Sequence, residues 1–258
     1  MDLVPQTTRL NNGMVMPLLG LGLYQSSQQQ TAAIVAHAIE AGYRLFDTAS
    51  IYQNEAEVGD GVAHSGIARS DVFITTKVWI DSYGYEETLL AFETSRRKLK
   101  MDYVDLYLLH WPVPSQFQKT IASYKALERL LADGLVKSIG VSNFTQQHLQ
   151  NLLEHTSIAP AVNQVELHPY FNQAALRAAN AQHGIMTQSW SPLGGVISRS
   201  ATGTSPEQGF LRAQPHEDRI AIWKVASASR FELAPLPWFV AYSKVQSDGP
   251  YFREYRCV

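Results

Sequence analysis

The 258-residue chain contains one cysteine, Cys257, near its C-terminal end. A disulfide within the chain is therefore excluded, and a cysteine-based metal site is not expected. No apolar run is long enough to cross a bilayer, and residues 1–6 lack the basic start and apolar centre of a secretory signal. We therefore expect a cytoplasmic protein with no membrane partner and no metal.

A strong excess of charge is also missing. The 21 Lys and Arg residues nearly balance the 23 Asp and Glu residues, which leaves a formal net charge of −2. Proteins that bind nucleic acid or anionic membranes usually carry a basic patch, so we expect a small-molecule partner and no nucleic acid. Apolar residues make up 45% of the chain, enough to bury a large core in one α/β domain. We expect a monomer.

Short apolar runs alternate with amphipathic segments along most of the chain. The runs predicted to be strands are 19–23, 43–47, 72–78, 104–110, 137–142, 161–166 and 184–190. Helices are predicted over 28–41, 85–100 and 123–133, the first and last of which are followed by glycines suited to a left-handed C-cap. The strand ends recur roughly every 30 residues, about the length of one βαβ unit. The pattern therefore predicts a parallel sheet.

Such a sheet is either open and doubly wound or closed into a barrel. The glycine fingerprint of the open dinucleotide-binding form begins with Gly20 and Gly22, but Gln25 stands where the third glycine is required. Before the first strand, residues 8–10 and 15–17 flank an Asn-Gly turn and predict a hairpin. That hairpin could plug a barrel bottom, and we predict a (β/α)8 TIM barrel with an N-terminal β-hairpin.

Four polar residues stand at or just after the ends of predicted strands: Asp47, Tyr52, Lys77 and His110. The active site of a βα barrel lies at the C-terminal ends of its strands, so all four should face one mouth. Each residue alone is also explained by an ordinary structural role, such as a helix cap for the aspartate. Convergence of all four favours catalysis.

The four residues suit proton delivery to a carbonyl oxygen. Tyr52 is the natural acid, but an unaided phenol has a pKa of about 10. A Lys77 ammonium would lower that pKa, and an Asp47 carboxylate would hold the lysine charged. A neutral His110 could polarise the carbonyl. No side chain supplies a hydride, so a nicotinamide cofactor is implied.

Several segments resemble a known family. Segments 46–55, 74–79 and 105–112 closely resemble the signature regions of aldo-keto reductases, as do 139–144, 163–169 and 189–194. The resemblance extends from about Thr8 to about Gly195. Within the family, the chain is most similar to the small diketogluconate, methylglyoxal and prostaglandin F reductases. The resemblance implies NADPH-dependent reduction of aldehydes and ketones to alcohols by hydride transfer, with Tyr52 as general acid.

The resemblance also implies binding roles. Ser142, Asn143 and Gln164 would bind the carboxamide of the NADPH (NADP+) nicotinamide, on whose ring Trp190 would stack. The remaining implied contacts are Gly22 and Leu23 with the ribose, Ser191 and Leu193 with the pyrophosphate, and Tyr24, Trp79 and Trp111 with the substrate.

The tail departs from the family. We assign residues 1–195 to the barrel, strands one to seven, and 196–258 to an aberrant C-terminal segment that lacks the family's Ile-Pro-Lys-Ser motif. Codons for 242–258, read one base later, can encode Ile-Pro-Lys-Ser-Asn-Arg, so we interpret the tail as frameshifted. We therefore expect a missing or disrupted eighth strand and weak NADPH binding, which fluorescence titration measures. Sequencing the coding DNA tests the frameshift.

The alternative function is a catalytically impaired relative, a pseudoenzyme or a regulatory or structural subunit.

Overall fold

The computed structural model describes residues 6–168 and 171–192, together with the backbone of residues 241–243. Within these ranges, a two-stranded hairpin precedes a sheet of parallel strands that alternate with helices. The hairpin strands are β1 (Thr7–Arg9) and β2 (Val15–Pro17). The sheet strands are β3 (Leu19–Gly22), β4 (Leu45–Asp47), β5 (Phe73–Val78), β6 (Val104–Leu109), β7 (Val136–Ser142), β8 (Val162–Glu166), β9 (Met186–Trp190) and β10 (Ala241–Ser243).

The helices fill the connections between the parallel strands. They are α1 (Gln28–Glu40), α2 (Glu55–Ser65), α3 (Tyr85–Leu99), α4 (Phe117–Ala132), α5 (Gln146–Leu153) and α6 (Ala174–Gln182). The predicted helices 28–41 and 85–100 are confirmed to within a residue. The third begins six residues before the predicted start, because a 3-10 turn at Pro114–Gln116 leads directly into α4. The sequence pattern did not predict this turn, so the helix start was placed too late.

The strands form a nearly closed barrel in the order β10-β3-β4-β5-β6-β7-β8-β9. Each neighbouring pair is parallel, and β10 pairs with β3 through Tyr242 and Gly20. At its other edge, β10 lies beside β9. The predicted (β/α)8 barrel is confirmed, with three described residues in the eighth position. The rest of the segment predicted to be disrupted lies outside the described ranges.

Two apolar layers hold the barrel together. The larger lies between the sheet and its helices and includes Phe92, Tyr107 and Leu127. The smaller lies inside the barrel and includes Leu45 and Leu106. Burying such side chains removes apolar surface from water, the dominant favourable term in folding. Both layers fix the strand positions on which the polar residues stand.

The predicted N-terminal hairpin is confirmed and covers the interior layer. Its strands pair antiparallel around the Asn-Gly turn, with Thr8 opposite Met16. Leu10 and Met16 join the interior apolar cluster, and the Asn11 side chain donates a hydrogen bond to the Pro160 carbonyl. The hairpin therefore plugs the end of the barrel from which the strands begin, leaving the opposite end for polar groups.

No helix in the described ranges is both long enough and apolar enough to span a bilayer. Across the same part of the chain, no group of three or more His, Cys, Asp or Glu side chains is arranged to hold a metal ion.

Candidate active site

The four polar residues lie at the C-terminal end of the barrel. Asp47 ends β4, and Tyr52 belongs to the 3-10 turn that follows it. Lys77 lies in β5, and His110 directly follows β6. Neighbouring parallel strands bring these positions side by side, since Asp47 pairs with Thr75 and Lys77 pairs with Leu108. The structure therefore brings together all four residues that the strand pattern selected.

Asp47 and Lys77 form a buried ion pair. The Lys77 ammonium donates hydrogen bonds to Asp47 Oδ1 and, over 3.0 Å, to the Thr48 carbonyl. Gln164 Nε2 donates to the other oxygen of Asp47 over 2.8 Å. Burial raises the pKa of Asp47, and Lys77 opposes this; burial lowers the pKa of Lys77, and Asp47 opposes that. The pair anchors the lysine beneath the tyrosine.

Tyr52 stands between the ion pair and His110. Its hydroxyl lies 3.5 Å from His110 Nε2, and the Lys77 ammonium lies 5.1 Å from the centroid of its ring. Burial raises the pKa of Tyr52 well above its usual value, and Asp47 and Tyr24 add to the increase. We had expected Lys77 to lower this pKa. In this arrangement, the burial of the phenol dominates, so Tyr52 holds its proton firmly.

His110 is held neutral. Burial lowers its pKa to about 3, and the positive charge of Lys77 acts in the same direction. Its Nδ1 atom is buried and has no hydrogen-bond partner in the described part of the chain, whereas Nε2 faces the Tyr52 hydroxyl. A buried N–H without an acceptor is costly, which favours the tautomer that carries the proton on Nε2. His110 can therefore donate a hydrogen bond into the mouth.

The lowered pKa of His110 predicts acid-sensitive stability. Between the usual value of 6.5 and the folded value of about 3, the unfolded chain binds a proton that the folded chain excludes. This contribution to the free energy of unfolding is complete above pH 6.5, and below it falls by up to about 1.4 kcal/mol per pH unit. Urea denaturation at pH 7, 6 and 5 should show a smaller acid loss in His110→Gln than in the wild type.

The control for this measurement is His183→Gln, at an exposed position. This variant should keep the wild-type dependence of stability on pH. Equal acid losses for wild type and His110→Gln would contradict a neutral, buried His110.

A second group of polar side chains lies at the ends of β7, β8 and β9. Ser142 Oγ donates to the Gln164 carbonyl over 2.8 Å. Asn143 Nδ2 donates to the His110 carbonyl over 3.0 Å, and Asn143 Oδ1 accepts a 3.0 Å hydrogen bond from Trp190 Nε1. Asn143 has a φ of 64°, a left-handed conformation that asparagine tolerates better than most residues. This asparagine thus links the Trp190 indole to the backbone of His110.

The chemistry of this second group fits a nicotinamide. The ends of the neighbouring strands β7 and β8 present a hydroxyl and two amide side chains, which can exchange hydrogen bonds with a carboxamide. Beside them, the half-buried indole of Trp190 offers a flat face for stacking. The second group therefore has the side chains needed to bind a carboxamide and to stack on the nicotinamide ring. Its members are Ser142, Asn143, Gln164 and Trp190.

The other residues implied to contact cofactor fit less uniformly. Gly22 is partly exposed at the end of β3. The Leu23 side chain is 1% exposed, and its backbone already bonds to Asp47 and Asn54, so no exposed side chain is offered to a ribose. Ser191 follows β9 with a φ of 49°. Leu193 lies outside the described residues.

The three residues predicted to line the substrate pocket surround the mouth at different depths. Trp79 contacts His110 edge to face, with ring centroids 5.0 Å apart. Tyr24 lies 5.0 Å from the Tyr52 ring and is 53% exposed. Trp111 is 43% exposed. Trp79 and Tyr24 therefore contact His110 and Tyr52 directly, and Trp111 follows His110 in the chain.

Asn54 also supports the site, although the sequence patterns did not select it as a site residue. Its buried amide donates to the Leu23 carbonyl over 2.8 Å, and its oxygen accepts a 2.6 Å hydrogen bond from the Thr48 hydroxyl. It therefore ties the loop after β3 to the loop after β4. The signal in the sequence was its place two residues after Tyr52.

Comparisons with known proteins identify similar sequences. The aldo/keto reductase family profile matches residues 18–238. Morphine 6-dehydrogenase of Pseudomonas putida is 51% identical over 189 residues, which cover 73% of this chain and 64% of that protein. Methylglyoxal reductase DkgA of Escherichia coli O157:H7 is 40% identical, over 88% of this chain and 85% of its own.

Solved structures show the same likeness. An aldo/keto reductase from Brucella melitensis superposes with a TM-score of 0.76 at 40% identity, covering 94% of this chain and 90% of its own. A Bombyx mori aldo-keto reductase in complex with NADP superposes with a TM-score of 0.73 at 32% identity. The match covers 88% of this chain and 76% of that protein's chain. The polar barrel mouth and these likenesses lead to one assignment: the chain belongs to the aldo/keto reductase family.

Proposed function

We propose that the chain reduces aldehydes and ketones to alcohols by hydride transfer from NADPH, with Tyr52 as general acid. The observation that carries this proposal is the pairing of the Tyr52 hydroxyl with Nε2 of a neutral His110, 3.5 Å apart, above a buried Lys77–Asp47 pair. Two hydrogen-bond donors meeting at one point suit a carbonyl oxygen that becomes negative during reduction. The family assignment and the names of the reductase relatives support the same reaction.

When bound, the reduced nicotinamide supplies the hydride. Ser142, Asn143 and Gln164 would hold its carboxamide, and Trp190 would stack on the ring, leaving one face towards Tyr52 and His110. The hydrogen bond from the Trp190 indole to Asn143 fixes the orientation of the stacking surface before any ligand binds. Such preorganisation reduces the entropy lost in reaching a reactive geometry.

Proton delivery falls to Tyr52. Its raised pKa keeps the hydroxyl protonated across the neutral range, so a proton is available for transfer. An alkoxide is far more basic than a phenol, so it takes the proton even from this reluctant donor. The Lys77 ammonium, 5.1 Å from the ring centroid, then stabilises the phenolate that remains.

His110 orients the substrate. With its proton on Nε2, it donates a hydrogen bond to the carbonyl oxygen without competing for the proton that Tyr52 delivers. Its pKa of about 3 prevents it from charging, which would place a second cation beside Lys77. The aromatic side chains of Tyr24, Trp79 and Trp111 would line the remaining walls of the pocket and favour apolar or aromatic carbonyl compounds.

The experiment is an assay of NADPH consumption, followed by absorbance, with methylglyoxal and a nitrobenzaldehyde. The NADPH concentration is varied into the millimolar range, because a C-terminal segment without the family's Ile-Pro-Lys-Ser motif is expected to bind NADPH weakly. We expect equal amounts of NADPH consumed and alcohol formed. If no alcohol appears at any NADPH concentration, the reductase proposal is wrong and a catalytically impaired relative replaces it.

A further inference from the structure

The chain that leaves β6 is held from two sides by hydrogen bonds to consecutive carbonyl groups. Asn143 Nδ2 donates to the His110 carbonyl over 3.0 Å. The Tyr83 hydroxyl donates to the Trp111 carbonyl over 2.7 Å. Asn143 belongs to the predicted nicotinamide group, whereas Tyr83 lies between strand β5 and helix α3 and has no role in the proposed reaction.

Tyr83 is placed to act as a fixed support. Its side chain is 5% exposed, and burial raises the pKa of its hydroxyl, which therefore remains a donor. The next residue, Gly84, adopts a φ of +147°, which L side chains rarely adopt, and its amide donates to Ser123 Oγ in α4 over 2.9 Å. Thr88 Oγ1 closes the turn with a 3.1 Å hydrogen bond to the Ser82 carbonyl. The backbone on either side of Tyr83 is thus tied to α3 and α4.

What Tyr83 holds is the exit of the strand that carries the proposed catalytic histidine. The His110 amide donates to the Val78 carbonyl over 3.2 Å, and the chain then leaves the sheet. Farther along, the Val113 amide is tied to Thr120 Oγ1 over 3.2 Å. The Tyr83 hydroxyl hydrogen-bonds to the Trp111 carbonyl, which lies between the anchored amides of His110 and Val113. A shift there would move the imidazole of His110 and the half-exposed indole of Trp111 together.

We propose that Tyr83 is a positioning residue, which sets the placement of His110 and Trp111 through the Trp111 carbonyl. The proposal rests on the proposed reductase function for its kinetic consequence. Reaction rates depend steeply on geometry, and a displacement of about 1 Å can cost about a hundredfold. Removal of one hydrogen bond that leaves the ring packing intact should cause a smaller shift and a smaller loss.

The test compares Tyr83→Phe with Tyr124→Phe. Tyr124 is a matched control, because it is also buried in the shell around the barrel and its hydroxyl has no hydrogen-bond partner among the described residues. We expect Tyr83→Phe to lower kcat/KM for a nitrobenzaldehyde by about tenfold, while the KM for NADPH changes by less than about twofold. Tyr124→Phe should change both constants by less than about twofold.

A second readout needs no turnover. Hydrogen exchange measured by mass spectrometry should show faster exchange in peptides covering residues 110–113 of Tyr83→Phe, by about threefold or more, and no change in Tyr124→Phe. Thermal unfolding and near-ultraviolet circular dichroism check that both variants retain the native fold. Equal exchange in the two variants would overturn the positioning role.

The kinetic outcomes separate the two proposals. If exchange rises in Tyr83→Phe and kcat/KM falls with it, the positioning role is supported. If exchange rises and kcat/KM does not change, Tyr83 supports the loop without positioning the catalytic group, and the inference is wrong. If the wild type shows no turnover that depends on Tyr52, the reductase proposal fails, and exchange alone decides whether Tyr83 holds His110 and Trp111.

Discussion

Tyr52→Phe is expected to lower kcat/KM for carbonyl reduction by about 10²–10⁴-fold, the usual contribution of a positioned general acid. The substitution removes only the hydroxyl that lies 3.5 Å from His110 Nε2 and keeps the ring packed against Tyr24. Without that hydroxyl, the alkoxide formed by hydride transfer has no phenol from which to take a proton. The loss should therefore appear mainly in kcat, measured by NADPH consumption and alcohol formation.

The matched control for Tyr52→Phe is Tyr24→Phe. This residue carries a second phenol in the same mouth, with its ring 5.0 Å from that of Tyr52, but it is 53% exposed. Loss of its hydroxyl should change kcat by less than about threefold, since an exposed hydroxyl makes a small net contribution. Fluorescence titration should give the same NADPH affinity for Tyr52→Phe and wild type. A Tyr52→Phe enzyme that retains a tenth of wild-type activity would sink the assignment of Tyr52 as the acid.

Lys77→Met is expected to impair both stability and catalysis. The Lys77 and Asp47 side chains are 1% and 7% exposed, so loss of the ammonium leaves a carboxylate buried without its counter-charge. Breaking a buried ion pair in this way typically costs about 3–5 kcal/mol. We also expect kcat/KM to fall by about 10²-fold or more, because the phenolate formed by proton transfer loses its nearby cation.

The double variant Lys77→Met with Asp47→Asn separates these two effects. Removing the unpaired carboxylate should restore much of the free energy of unfolding, while Gln164 can still bond to the asparagine oxygen. Activity should stay low, because the cation is still missing. Urea denaturation and kinetics on both variants measure this. Recovery of activity together with stability would show that Lys77 serves only the fold.

The order of elements could be predicted from sequence because the signals are local. The Asn-Gly turn between residues 8 and 17 specifies a hairpin, and the roughly 30-residue spacing of strand ends specifies repeated βα units. Helix α3 was predicted with nearly its observed bounds because charges of opposite sign mark its two ends. The start of α4 was missed, because a 3-10 turn before it breaks no hydrophobic pattern.

The candidate site was only partly predictable. Asp47, Tyr52, Lys77 and His110 could be selected because parallel strands place their C-terminal ends at one mouth. Tyr83 was overlooked, since nothing near it in the sequence indicates that its hydroxyl reaches the Trp111 carbonyl, 28 residues away. The hydrogen bond from Gln164 to Asp47 spans 117 residues and has no local signal either.

The sequence by itself determined which side chains can donate a proton, hold a charge or stack, and that all stand at strand ends. Only the tertiary structure decided their protonation. Burial raises the pKa of Tyr52, where we had expected Lys77 to lower it, and burial holds His110 neutral. The barrel also brings Lys77 and Asp47 into contact across neighbouring strands. The reason is physical: a pKa depends on desolvation and on nearby charges, which arise from residues far apart in the chain.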